Sequence, residues 1–260
     1  MRDTRALPEI RLYSVWLAGL AESAYQALGS VLDAGERERA KRFRWAADRH
    51  AYVAAHALLR HALCAVAGAP PHSWTFRTDA FGKPHVSPDT AAPGLAFSLS
   101  HTRGMALVGV AKDMQLGVDV ERPDPGKPFM EIAECYFHPR EVSYLRGATT
   151  NWDTCTRFTT LWTVKEAYLK AVGTGLSQAL DIFAFDPGGS GALSFGDPST
   201  GVPGAWRIWT RARDGYHQAC LARPLGGGEV RIVHAELRYN LPGGWQILDR
   251  GLDPSDAAEP

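Results

Sequence analysis

Leu116-Gly117-Val118-Asp119-Val120-Glu121 sets two carboxylates two residues apart in an otherwise apolar run. Side chains of a strand repeat every two residues, so Asp119 and Glu121 share a face if this run is a strand. Like charges side by side repel, and burying them is costly. A hard divalent cation with oxygen ligands, magnesium above all, relieves both costs. An exposed strand end with solvated charges relieves them equally well. The second segment is Leu161-Trp162-Thr163-Val164-Lys165-Glu166-Ala167-Tyr168-Leu169-Lys170. On a helix, Trp162, Glu166 and Lys170 fall at four-residue steps along one face. A surface Glu–Lys pair of this kind is worth only about 0.2–0.5 kcal/mol. Trp162, Leu161 and Leu169 predict instead a partly buried surface, where a desolvated ion pair wants a metal or phosphate partner.

Other catalytic signatures are absent. There is no glycine-rich Walker loop, no GxGxxG after a strand, no GxSxG elbow and no HExxH. Ser100 and His101 are neighbours, and motif logic by itself reads them as a strand end with a satisfied histidine.

The elements that must position these groups are mixed. Strands are predicted at Arg11–Leu17, Trp74–Thr78, Leu95–Ser100, Met105–Ala111 and Gln115–Val120, the last two flanking Lys112-Asp113. Helices are predicted from Asp33 through Arg42, and over Asp48–Ala67 with Asp48 as N-cap and Gly68 as stop. Further helices are predicted at Phe129–Tyr136, Arg140–Arg146 and Asn151–Val172. Strands then resume at Ile182–Phe185, Trp206–Arg211, His217–Ala222 and Val230–Leu237. Arg49-His50-Ala51-Tyr52-Val53-Ala54-Ala55 and Lys165-Glu166-Ala167-Tyr168-Leu169-Lys170-Ala171 share one pattern, each in a long helix that precedes strands. The reading is an α+β chain of two similar subdomains, residues 1–110 and 111–240, followed by a loosely held tail at 241–260.

Composition narrows the function. The 260 residues are 45% hydrophobic and carry 28 basic against 28 acidic side chains. A neutral chain is not dominated by attraction to nucleic acid or anionic lipid, so neither is expected as a partner. No run approaches the ~18 apolar residues that span a bilayer. The opening Met1-Arg2-Asp3-Thr4-Arg5 leads into no secretory signal, and Cys64, Cys135, Cys155 and Cys220 have no paired spacing. Both features predict a cytoplasmic protein.

With GVDVE and the segment LWTVKEAYLK in hand, the latter's Glu166 standing 45 residues beyond Glu121, the chain resembles the surfactin-type (Sfp-type) 4'-phosphopantetheinyl transferases. Their two-part signature is roughly Gly-Val/Ile-Asp, a gap of some tens of residues, then Trp/Phe-x-x-Lys-Glu-Ala/Ser-x-x-Lys. Phe81-Gly82-Lys83-Pro84, Phe97-Ser98-Leu99-Ser100-His101-Thr102 and Tyr136-Phe137-His138-Pro139-Arg140-Glu141 resemble three further family segments, so the likeness covers about residues 33–185. It implies two α+β halves with pseudo-twofold symmetry and a cleft between them. It implies transfer of 4'-phosphopantetheine from coenzyme A to a serine of an apo acyl or peptidyl carrier protein, with magnesium required and adenosine 3',5'-bisphosphate released. Carried over, Asp119, Glu121 and Glu166 hold the magnesium. Glu166 takes the serine proton, and Lys170, with Lys165 sharing the role, meets the diphosphate. Lys83, Ser100 and His101 contact the phosphates of coenzyme A. Arg39 is offered to the nucleotide, with Ala51 and Tyr52 standing where the family can carry a basic–threonine pair. A monomer is expected, because one chain supplies both walls. The alternatives are a non-catalytic carrier-binding scaffold of the same fold and an unrelated magnesium-dependent phosphotransferase; the complete set of carboxylates and lysines disfavours the scaffold.

Overall fold

The computed structural model describes residues 7–90, 92–187, 192–195, 205–240 and 244–251. Strand β1 (Glu9–Trp16) leads into α1 (Glu22–Gly29), α2 (Ala34–Lys41) and α3 (Ala46–Ala67). A small hairpin follows, β2 (Phe76–Thr78) and β3 (Pro84–Val86), and then the meander β4 (Leu95–Thr102), β5 (Met105–Lys112) and β6 (Met114–Glu121). Three helices come next: α4 (Phe129–Tyr136), α5 (Pro139–Arg146) and α6 (Asn151–Val172). The chain closes with β7 (Phe183–Phe185), β8 (Leu193–Phe195), β9 (Arg207–Arg213), β10 (Tyr216–Pro224), β11 (Arg231–Asn240) and β12 (Gly244–Gly251).

Local chemistry sets the helix ends. Asp33 and Glu36 form a reciprocal capping box at the start of α2, with bonds of 2.8 and 2.9 Å. His138 and Glu141 do the same for α5, whose first residue is Pro139. Helices α3 and α6 each run 22 residues and each stop at a left-handed glycine, Gly68 (φ 81°) and Gly173 (φ 82°). That parallel is what the repeated sequence pattern foreshadowed. Helix α3 covers β4 and β5, and α6 covers β6 and β10.

The first sheet has the order β12-β11-β1-β5-β4, with β1 and β11 parallel; the second is the antiparallel β6-β10-β9. An apolar layer between them joins Ile10, Leu12 and Leu107 to Leu116, Val118 and Cys220. Gly117 is the point of closest approach between β6 and α6. A Cβ there would lie 1.9 Å from the Ala167 carbonyl oxygen, so only glycine lets the carboxylate strand lie against the helix.

Several expectations are corrected. The tail predicted to be loose contains β12, which pairs with β11 as an edge strand and sets Trp245 against Tyr239 at 5.0 Å. Residues 241–243 and 252–260 lie outside the described residues, as does the opening hexapeptide. β11 falls within the stretch assigned to the second half, yet it is built into the first sheet beside β1, so the first sheet takes a strand from the second half. Asp48 is not the N-cap of α3. The helix starts two residues earlier after Trp45, which offers no side-chain cap, and Asp48 pairs with Arg103 at 3.0 Å. Helix α1 was not anticipated, although Ala24, Tyr25 and Leu28 give it a buried stripe at helical spacing.

Candidate active site

The site opens where the two sheets part. β4 and β6 lie side by side without pairing as a ladder, and serine side chains of β4 make the connection. The Val118 amide donates to Ser98 Oγ at 3.0 Å, and Ser100 Oγ donates to Asp119 Oδ1 at 2.7 Å. Lys170 Nζ, on the open face of α6, donates to the same Asp119 Oδ1 at 2.6 Å and to Ser100 Oγ at 2.9 Å. Sheet, strand and helix therefore meet at one buried carboxylate. Its second oxygen, Oδ2, is buried and has no hydrogen-bond partner among the described residues. Ser98 was missed by the sequence reading; its place two residues before Ser100 on the same strand face was the available signal.

Glu121 and Glu166 flank Asp119. Burial pushes the Glu121 carboxyl up to about 7, and the negative charge of Asp119 adds to that. Burial first, and then Asp119, raise Glu166 as well, while Lys170 opposes both. The charge of Asp119 is thus felt by both glutamates chosen from the sequence. Among the described residues, however, no three His, Cys, Asp or Glu side chains form a ready-made metal cluster. The donor set still suits a hard cation. It is all oxygen, and it includes a buried Asp119 Oδ2 without a partner among the described residues. Its two glutamates are held up by burial and by the charge of Asp119, which a cation would offset.

Three cavities border these glutamates. One of about 290 Å³ is lined by Lys83, Glu166 and Lys170 at its polar end and by Phe81, Phe97 and Leu169 beyond. A larger one of about 780 Å³ runs past His101, Arg103, Glu121, Arg122 and Lys127. The third, of about 200 Å³, joins Glu121 to Phe129, Phe158 and Trp162. Arg39 lies in a separate cleft with Arg42 and Phe43, and Phe43 also lines the large cavity.

His101 sits edge-on to Tyr52, 6.2 Å between ring centres. Burial, then His56 and Lys170, drive its imidazole down to about 4. It is therefore neutral at pH 7 and offers one N–H. Because the folded value lies below the ordinary 6.5, the unfolded chain takes the proton first. Stability owed to this group is present above pH 6.5 and is lost as the pH falls towards 4. Thermal melts across that window should show a decline that His101→Gln reduces.

Two lysines stand apart from the sequence reading. Lys83 lines the cavity of about 290 Å³ with Glu166, yet its Nζ donates to the Ala171 carbonyl at 2.8 Å and to Leu116 O at 3.4 Å. It caps the last turn of α6, and burial draws its ammonium down to about 8. Lys165 is a correction. It was assigned to the diphosphate, but it points to the opposite side of α6, fully buried, with Nζ on Leu180 O (2.6 Å), Phe183 O (3.1 Å) and Glu141 (2.8 Å). The reason is helical phase: one residue before Glu166 turns the side chain about 100° away from the cleft. Glu141, which the sequence left without a role, also accepts from Phe185 N at 3.0 Å and so ties α5 and β7 to α6. Lys165→Met should leave Glu141 buried and unpaired and cost about 3–5 kcal/mol in urea melts. Adding Glu141→Gln should recover much of that loss.

The cleft sets carboxylates beside cationic side chains, Lys83 and Lys170 in one cavity and Arg103, Arg122 and Lys127 in the other, an arrangement suited to an anionic ligand. Comparison gives the class. A family model described as the 4'-phosphopantetheinyl transferase superfamily matches residues 115–221, and one described as 4'-phosphopantetheinyl transferase, N-terminal, matches residues 20–115. The chain is 35% identical to the 4'-phosphopantetheinyl transferase HetI of Nostoc sp. over 161 residues, which is 62% of this chain and 68% of that one. It is 28% identical to a Bacillus subtilis 4'-phosphopantetheinyl transferase over 83% of this chain and 93% of the relative. For the Bacillus subtilis transferase Sfp the figures are 27% identity, 87% and 99%. The chain belongs to the 4'-phosphopantetheinyl transferase superfamily. It is an enzyme that transfers 4'-phosphopantetheine from coenzyme A to carrier proteins.

Proposed function

We propose that the cleft between the sheets performs this transfer with the following division of roles. Asp119, Glu121 and Glu166 hold magnesium through their carboxylate oxygens. Bound there, the ion neutralises the diphosphate of coenzyme A and lowers the cost of charge that develops on its oxygens. The observation that carries the reading is the buried, unpartnered Asp119 Oδ2 between two glutamates whose carboxyls it raises.

Glu166 accepts the proton of the carrier serine. The serine oxygen bonds to the phosphorus that bears pantetheine, and the bond from that phosphorus to adenosine 3',5'-bisphosphate breaks. Lys170, one turn further along α6, steadies Asp119 and offers positive charge to the leaving phosphate. His101, neutral, donates its N–H to a phosphate oxygen, and Arg39 holds the nucleotide end in the adjoining cleft with Arg42. Ser100 orients Asp119, and Lys83 holds the end of α6 against the cleft. The acceptor is a serine of an apo acyl or peptidyl carrier protein. A monomer suffices, since both walls come from one chain.

The test is direct. The protein is mixed with coenzyme A, magnesium and an apo carrier, and the intact carrier is weighed. A gain of one phosphopantetheine that a chelator abolishes is the expected result. Carrier binding without a mass gain, or a gain indifferent to chelation, would overturn the scheme. Light scattering that showed an obligate dimer would overturn the monomer.

A further inference from the structure

Tyr216, at the start of β10, touches Arg103 and Arg122, both of which line the large cavity. Its hydroxyl donates to the Arg103 carbonyl at 2.9 Å, in the tight turn between β4 and β5 that follows His101. That turn is pinned from two other sides. Gly104 O accepts from Leu17 N at 2.9 Å, and Arg103 Nε pairs with Asp48 at 3.0 Å. The phenol ring meets Trp16 edge-on at 5.2 Å and lies under the Arg122 guanidinium at 5.7 Å. Arg122 directly follows Glu121, and His217, next to Tyr216, pairs with Glu121 across β6–β10. The fit around the hydroxyl is close. Gly104 has φ 97°, and a Cβ built there would fall 2.1 Å from the Tyr216 oxygen.

We propose that Tyr216 is a positioning residue for the transfer reaction, a clasp that sets the distance between the His101 strand of the first sheet and the Glu121 edge of the second. Coenzyme A must reach both edges at once, through a phosphate at His101 and the diphosphate beside Glu121. This inference rests on that placement of the nucleotide. The cavity of about 780 Å³ lies between these edges, with Gly215, beside Tyr216, in its lining. Tyr216 touches no substrate. It acts by keeping two binding edges in register, and register governs the affinity of a ligand that bridges them more than it governs the bond-making step.

Tyr216→Phe keeps the ring and its contacts with Trp16 and Arg122 and removes only the hydroxyl. The affinity for coenzyme A, by calorimetry and as KM, should weaken about five- to tenfold, as the loss of one hydrogen bond allows. Turnover at saturating coenzyme A should stay within about twofold, a split that a general loss of structure does not give. Gly104→Ala, which forces a methyl group onto the hydroxyl, should weaken the same affinity, and it should do less harm when combined with Tyr216→Phe. Unchanged affinity in Tyr216→Phe, an equal fall in turnover and affinity, or an effect of Gly104→Ala that is the same in both backgrounds would each overturn the clasp. His101→Ala is the control. If it weakens coenzyme A while Tyr216→Phe does not, the clasp alone falls. If His101→Ala binds coenzyme A normally, the placement of the nucleotide falls and takes the clasp with it.

Discussion

Glu166→Gln is expected to retain coenzyme A and to lose transfer by more than about 10²–10⁴-fold, the span that general base catalysis contributes by itself. The substitution preserves shape and hydrogen-bonding capacity on the open face of α6. It removes the proton acceptor and one of three oxygen donors to the cation. The raised carboxyl of Glu166 makes it a stronger base than an ordinary glutamate once it is ionised, which adds to the size of the loss. Coenzyme A keeps its contacts at His101, at the cleft of Arg39 and at the Glu121 edge, so its affinity should change little. The measurement is single-turnover transfer to an apo carrier beside calorimetric binding of coenzyme A. Near-normal turnover would reduce Glu166 to half of a surface pair and would end the proposed mechanism.

Asp119→Asn should be nearly as damaging, by on the order of 10³-fold, because metal-assisted charge neutralisation is worth several kcal/mol at the transition state. Asparagine can still accept from Lys170 and Ser100, so the fold should hold. The negative charge that raises both neighbours is gone, so the carboxyl of Glu121 should titrate below its present value of about 7. Carbon-detected NMR of the glutamate carboxyls reads that shift, and magnesium titration reads the lost affinity. An unchanged Glu121 together with full magnesium dependence would mean that Asp119 does not stand at the centre of the site. Strand spacing set Asp119 against Glu121, and the family likeness added Glu166; the structure adds Lys170 as a counter-charge, 2.6 Å away and from another element.

Much of this was legible in the chain. Periodicity located the 22-residue α3, whose apolar residues recur at three- and four-residue steps, and β4, whose residues alternate. The carboxylate pair at 119 and 121, the Glu166–Lys170 face and the family likeness followed from spacing that is local, within one strand or one helix. Turn and edge elements were less legible. β12 hides in a stretch whose Gly, Pro and Asp read as a tail, since an edge strand with one neighbour needs little apolar sequence.

What the sequence determined by itself, then, is which side chains share a face, because strand and helix periods are properties of the backbone. It therefore set Asp119 beside Glu121 and Glu166 beside Lys170, and it marked the chain as a phosphopantetheinyl transferase. It could not decide which face of a helix looks into the cleft. The packing of α6 on β6 through Gly117 did that, turning Lys165 away to Glu141 and bringing Lys170 onto Asp119. Nor could it join β11 to β1 or Tyr216 to Arg103, 113 residues apart, since such pairings depend on how two sheets stack and leave no period in the chain.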